Sequence, residues 1–363
     1  VTVTLAYITF ISLAHAGTQL IDAIFSQAVR AAVTHWRAQL TLEQVNEYLV
    51  NPVNLGLMLV PAIEQELNNR KCSCAEVKDY AWAQPYLRLQ AVFEPGELPD
   101  TPEDFCPVPT AEGTLLAKVT AIACLAAIGS DTVSYRSENQ GDLFVNLVVF
   151  PPGRGKFTEK SADKMSGHTD AVTFPMRGYR DPLDARIAPS PDFVCLSALR
   201  NPNEVPTTVM PLDQLMTALT NEHIEDLQKP QYLIGSQLTF RDGMMDILGD
   251  ELEVDYAQLL YAIQDKWWIR FSHRTTQIAT GAMASAQEAM DALKEACAGC
   301  VVPLALEPGD IALVNNRIAL HGRSEVGQEY GGQTRWLLRT YGLDTSDLDP
   351  AQRHDGSPFM LFP

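Results

Sequence analysis

Long uninterrupted apolar runs are missing from this 363-residue chain. No stretch reaches the length of a membrane-spanning helix, so a helical membrane protein is not expected. Basic residues are scarce: 27 Lys and Arg stand against 45 Asp and Glu, a formal charge of −18. Such a surface repels phosphate backbones and anionic lipid, which argues against a nucleic-acid or membrane partner. Seven cysteines are too few, and odd in number, for a disulfide framework at this length. Internal repeats and low-complexity linkers are also lacking. Core material is plentiful, with 46% hydrophobic residues, which suits a packed globular protein and not a disordered one.

Cys72-Ser-Cys74 and Cys297-Ala-Gly-Cys300 have spacings that thiolate zinc sites use. The two pairs are far apart in the chain, and Cys297 follows an Ala-rich helical stretch. Reduced, buried thiols in a cytoplasmic protein are therefore expected, with structural zinc as the alternative. The opening Val1–Ala16 ends in Ala-x-Ala like a signal peptide but has no basic n-region. A buried strand or the entry to a first helix is the preferred reading.

Helical periodicity runs through 17–70, where Leu20, Ile21, Ile24, Phe25 and Val29 recur at three- and four-residue spacings. Proline and acidic residues then mark a surface loop to about 112, and Ala111–Gly129 reads as a buried helix. Strands are expected at Leu143–Phe150, Ala171–Phe174, Asp192–Leu199, Thr207–Met210, Val301–Leu306, Ile311–Asn315 and Arg335–Tyr341. Helices are expected at Leu212–Thr220, Asp255–Gln264 and Ser285–Ala296. The pattern predicts a mainly β protein with flanking helices, an antiparallel sandwich or jelly roll. It reads as one domain over 1–363: a helical and loop region over 17–110, then a core over 111–345 with a helical insert near 212–300.

Gly167-His168-Thr169-Asp170 is the first chemical signal. Residues two apart on an extended segment share a side, so His168 and Asp170 can converge on one ion. With a second imidazole they would complete the facial triad of non-haem iron sites, which leaves coordination positions open. A His-x-acid triplet alone also fits a surface turn.

A second motif lies near the other end: Gly309-Asp310, then Asn316-Arg317, His321-Gly322-Arg323-Ser324 and Arg335-Trp336-Leu-Leu-Arg339. With these elements, and with fourteen residues from His321 to Arg335, the sequence resembles the clavaminate synthase-like branch of Fe(II)/2-oxoglutarate dioxygenases, related to taurine dioxygenase. The resemblance extends loosely over 110–345. It implies a double-stranded β-helix core and His168, Asp170 and His321 as iron ligands. It also implies Arg335 as the residue gripping the distal carboxylate of 2-oxoglutarate. A threonine of Thr207-Thr208 would donate to the same carboxylate, with Thr207 preferred.

In amino-acid hydroxylases of this branch, the position of Arg339 holds the substrate α-carboxylate. Residues four apart on a strand share a face, so both arginines can look into the core; the alternative is a surface arginine paired with an acid. Asn146 stands where relatives carry a polar group facing the substrate, or it only caps a strand. Asp170 would border the substrate amine. Two departures bear on chemistry. Asp170 replaces the Glu common in the branch, and retention of a carboxylate argues against halogenation. In Ile269–Arg274, Ser272 and Arg274 stand where arginine hydroxylases carry lid aspartates, and Asp242 is a possible substitute.

The expected activity is hydroxylation of an unactivated C–H in a free L-amino acid, giving succinate and CO2 from 2-oxoglutarate and O2. Lysine is the first choice, with arginine or another polar amino acid as the alternative. A non-catalytic jelly-roll binding module is the reading from a different class.

Overall fold

A computed structural model describes residues 21–363, apart from 156, 158–160 and 264–265. The reading of Val1–Ala16 lies outside the described residues. Helices come first, at 21–37, Leu42–Tyr48, Pro52–Asn69, Cys74–Ala83 and Glu112–Ala127. Six strands lie in the first part of the chain: β1 (Tyr86–Leu89), β2 (Asp131–Tyr135), β3 (Val145–Leu147), β4 (Met165–His168), β5 (Phe193–Arg200) and β6 (Thr207–Pro211). Five short ones follow: β7 (Tyr232–Ile234), β8 (Val254–Ala257), β9 (Leu260–Ile263), β10 (Lys266–Ile269) and β11 (Thr276–Ile278). The last five are β12 (Val302–Leu304), β13 (Ile311–Asn315), β14 (Ala319–Arg323), β15 (Trp336–Leu343) and β16 (Met360–Leu361).

These strands form two principal sheets. The larger runs β1-β13-β5-β15-β2-β16, with β3 also on β15; the smaller runs β12-β6-β14-β4. All pairings are antiparallel except that of β16 with β2. Inward residues of the large sheet (Val194, Leu196, Val314, Leu337, Tyr341) pack against Val209, Leu304 and Ala319 of the small one. The period of two along β15 sends Leu337, Arg339 and Tyr341 into this space. Trp336 and Leu338 point outward beneath the N-terminal helices. Helix Glu112–Ala127 is buried on nearly every side because it lies between that outer face and helix Pro52–Asn69. Gly309, at φ +94°, makes the turn into β13, and a Cβ there would sit 2.3 Å from the Phe93 carbonyl oxygen.

Helical residues outnumber strand residues, so the described chain is mixed, not mainly β. Three expectations are corrected. In place of the helix expected at Asp255–Gln264 stand β8 and β9, because Leu260–Ile263 pairs with β10. Ala171–Phe174 is a turn, not a strand: Ala171 has φ +52°, and the Phe174 N–H donates to the Ala171 carbonyl at 2.9 Å. The run 143–150 shortens to β3. No cysteine is in a disulfide, and burial raises the thiol pKa of Cys72, Cys74 and Cys297. Among the described residues, no helix is long and apolar enough to cross a membrane.

Candidate active site

In the register of β4 against β14, His168 lies directly opposite His321. Directly opposed residues project to the same face, and the two imidazole centroids are 4.5 Å apart. Gly167 and Gly322 allow this approach. A Cβ on Gly167 would stand 2.4 Å from the Met210 sulfur, and one on Gly322 would stand 2.3 Å from the Met165 carbonyl oxygen. Asp170 comes round from the end of β4, with Oδ1 3.4 Å from His168 Nε2 and Oδ2 3.6 Å from His321 Nε2. Among the described residues, these three form the one group of three or more side chains able to share a metal ion.

The groups behind the triad hold it in a state fit for a divalent metal. His168 Nδ1 donates to the Ser166 carbonyl at 3.0 Å, which fixes the ring with Nε2 turned toward Asp170. Asn316 accepts from the Asp170 backbone N–H at 2.9 Å and donates to its carbonyl at 3.1 Å, fixing the turn. Gln237 does the same one residue on: it accepts from the Ala171 N–H at 2.7 Å and donates to Asp170 Oδ1 at 3.3 Å. Burial alone would raise the Asp170 pKa. The adjacent His321, hydrogen bonds with both histidines and the Arg339 charge outweigh it and hold the carboxyl well below its usual range. Burial, then repulsion from His168, pushes His321 down, which keeps its imidazole neutral. One carboxylate and two imidazoles suit Fe(II), and the open side faces a cavity.

That cavity measures about 850 Å3 when counted out to its mouth, and it lies between the two sheets. Arg323, Arg335 and Arg339 line it together with Thr207 and the triad. Arg335 is 5% exposed and makes no ion pair with any described residue, and its Nε has no hydrogen-bond partner. Burial and the nearby Arg323 push its pKa down to about 9. A buried cation of this kind calls for an anion, and a planar fork suits a carboxylate. Thr207 faces it from β6. The register pairs Thr207 with Arg323 and Val209 with His321, so Thr207 shares the triad's side, while Thr208 is paired with Gly322 and turned away.

Arg339 enters from β15, with Nη2 2.6 Å from Glu138 Oε2 and Nη1 3.8 Å from Asp170 Oδ2. Burial would lower its pKa, but Glu138, Tyr341 and Asp170 together raise it. Glu138 is the residue that the sequence reading missed. It is 4% exposed, accepts from the Tyr341 hydroxyl at 3.0 Å, and has Oε1 buried without a hydrogen bond. Nothing in the local sequence Arg136-Ser-Glu-Asn marks it, because its partner Arg339 is distant in the chain.

Two expected site residues are placed elsewhere. Asn146 is fully buried on the outer face of β3. Its Nδ2 donates to the Asp104 and Pro107 carbonyls, both at 3.1 Å, and its Oδ1 accepts from Trp336 Nε1 at 2.9 Å. It cannot face a substrate, because β3 turns Val145 and Leu147 to the cavity instead. The segment 269–274 is not a lid. It packs along the triad loop, with the Thr169 N–H donating to the Phe271 carbonyl at 2.9 Å and the His273 N–H to the Gly167 carbonyl at 3.2 Å. Ser272, Arg274 and Asp242 are absent from the cavity lining, which includes Phe105, Asn139, Gln237 and Thr239.

Two packed antiparallel sheets that bring a His-x-Asp…His triad to a cavity rich in arginine define the class of mononuclear non-haem iron oxygenases. Residues 264–341 match the model of the taurine catabolism dioxygenase TauD, TfdA family. It is similar to the L-lysine 3-hydroxylase of Catenulispora acidiphila, 26% identical over 276 residues that cover 74% of this chain and 70% of that one. A solved asparagine oxygenase bound to Fe(II), 3-hydroxyasparagine and succinate superposes with a TM-score of 0.68 at 19% identity, covering 89% of this chain and 96% of the other. The non-haem iron oxygenase OrfP, solved with iron and α-ketoglutaric acid, gives 0.69 at 20% identity, covering 93% and 97%.

Proposed function

We propose that the protein is an Fe(II)- and 2-oxoglutarate-dependent hydroxylase of a free L-amino acid. The observation that carries this reading is the pair of buried arginines beside the triad, one without an acid partner among the described residues and one shared between two acids. His168, Asp170 and His321 would hold the iron, leaving sites open for the keto-acid end of 2-oxoglutarate and for O2. When bound, that assembly supplies oxidation of an unactivated C–H coupled to decarboxylation of 2-oxoglutarate to succinate and CO2. The two-sheet core is read as a double-stranded β-helix within one oxygenase domain over 1–363, with residues 21–110 as an outer jacket.

The remaining work of this chain is binding and orientation. Arg335 and Thr207 hold the distal carboxylate of 2-oxoglutarate. Arg339 takes the substrate α-carboxylate, and the unpartnered Glu138 Oε1 accepts from the α-ammonium. Arg339 lies against a triad ligand, so an amino acid anchored there brings the carbon next to its α-carbon closest to the metal. Oxidation at that β-carbon follows. Lysine is the first side chain to test, on the similarity to the lysine hydroxylase, with arginine or another polar amino acid as the alternative.

The test is aerobic incubation with Fe(II), ascorbate and 2-oxoglutarate, run separately with each amino acid and read by mass spectrometry. Succinate formed with one added oxygen on a single amino acid is expected, and no succinate with any amino acid would overturn the reading. The register argument adds a contrast between neighbours. Thr207→Val should raise the KM for 2-oxoglutarate by about tenfold, the loss of one hydrogen bond to a charged group, while Thr208→Val leaves it within about twofold.

A further inference from the structure

The segment 98–107 is a strap that reaches the cavity at Phe105 and is fastened at both ends. At one end, Arg200 donates to the carbonyls of Leu98 at 3.0 Å and Pro99 at 2.8 Å, and the Thr101 N–H donates to the Gly332 carbonyl at 2.7 Å. At the other, the Asn146 side chain holds the carbonyls of Asp104 and Pro107, and its backbone N–H donates to the Phe105 carbonyl at 2.7 Å. Both donors of that amide go to the strap, and its oxygen accepts from Trp336 Nε1. Between these fastenings the strap turns Phe105 into the cavity lining, backed by Phe150 at 4.6 Å and Phe157 at 5.3 Å between ring centroids.

We propose that Asn146 is a positioning residue for the hydroxylation, acting through Phe105: it fixes the strap so that the phenyl ring forms the wall holding the amino acid against the metal site. The inference rests on the hydroxylase reading of the cavity. Both amide donors of Asn146 go to one short loop, a directed arrangement that an apolar side chain filling the same volume would not provide. The clip is also tied to the binding machinery. Trp336 follows Arg335 in the chain, and Asn146 pairs with Leu338, the residue before Arg339. The same residues thus set both the carboxylate anchors and the wall opposite them. A ring displaced by about 1 Å loosens the substrate and admits water, which lowers the yield of oxygenated product for each 2-oxoglutarate consumed.

The experiment is a double-mutant cycle of Asn146→Ala and Phe105→Ala in the full chain. Its readouts are the separate KM values of amino acid and 2-oxoglutarate, the ratio of hydroxylated product to succinate, and the melting temperature. Each single variant should raise the amino-acid KM by about tenfold and lower the product ratio, with the 2-oxoglutarate KM within about twofold. The double variant should be no worse than the poorer single one. Multiplicative effects, or a loss of melting temperature with KM and product ratio unchanged, would overturn the proposal. If Asn146→Ala does not fold, Trp336→Phe removes one hydrogen bond of the clip and keeps the ring. It should shift KM and product ratio in the same direction, and unchanged values would count against the clip. Hydrogen exchange separates this proposal from the enzymatic reading. Faster exchange across 104–106 in the Asn146 variant, with β15 unaffected, is required even if no amino acid is turned over.

Discussion

Replacement of Asp170 by alanine is expected to abolish hydroxylation, by about three orders of magnitude or more, and to reduce Fe(II) content sharply while the protein stays folded. The carboxylate stands 3.4 and 3.6 Å from the two imidazole nitrogens and is the only anion of the triad. Without it the site offers two imidazoles facing the buried cation Arg339, a poor host for a divalent metal. The backbone at 170 is held by Asn316, whose bonds go to the main chain, so the turn survives loss of the side chain. Asp170→Glu is the control. Gln237 donates to this carboxylate from a flexible side chain and can follow a longer arm, so measurable activity should return. Iron content, succinate and hydroxylated product measured together decide the matter: an alanine variant that binds iron and turns over normally would remove Asp170 from the site.

Arg339→Lys should lower kcat/KM for the amino acid by about a hundredfold and leave the KM for 2-oxoglutarate near its original value. Lysine keeps the charge that Glu138 and Asp170 require but loses the planar fork that grips a carboxylate. Arg339→Leu is a poorer probe, because it strands Glu138 as a buried anion at a cost of about 3–5 kcal/mol in stability. The pH dependence should not originate at Arg339, whose neighbouring acids raise its pKa beyond any working range. Equal losses for both substrates in steady-state kinetics would mean that the side chain supports the fold and not the amino acid.

Legibility in the sequence followed the range of the interactions. His168, Asp170, His321, Arg335 and Arg339 were readable because their spacing is set by strand geometry within two short motifs, and the structure gathers all five around one cavity. Glu138 was not, since its partner arrives from a strand two hundred residues away. Asn146 was noticed for its polarity, but the inward or outward sense of a three-residue strand depends on β15, which the local sequence does not contain. The helix expected at 255–264 arose from Ala257, Leu259, Leu260 and Ile263, whose spacing also suits a hairpin once β10 supplies the pairing. Ala171–Phe174 carries strand-forming residues, but Gln237 draws the Ala171 N–H aside.

On the proposed reading, the placing of Arg339 on the central strand β15, with Arg335 immediately before that strand, constrains how this protein can evolve. Four residues of extended chain set their separation at about 13 Å, and β15 is clamped between β5, β2 and β3. A one-residue slip would send both arginines out of the core at once, so neither anchor can drift independently. Lineages descended from such a scaffold are free to vary the walls, chiefly the strap bearing Phe105 and the residues Asn139, Gln237 and Thr239. New side-chain preferences can therefore arise without disturbing the α-carboxylate. Acceptance of an amine that lacks one would require Arg339 and Glu138 to be replaced together.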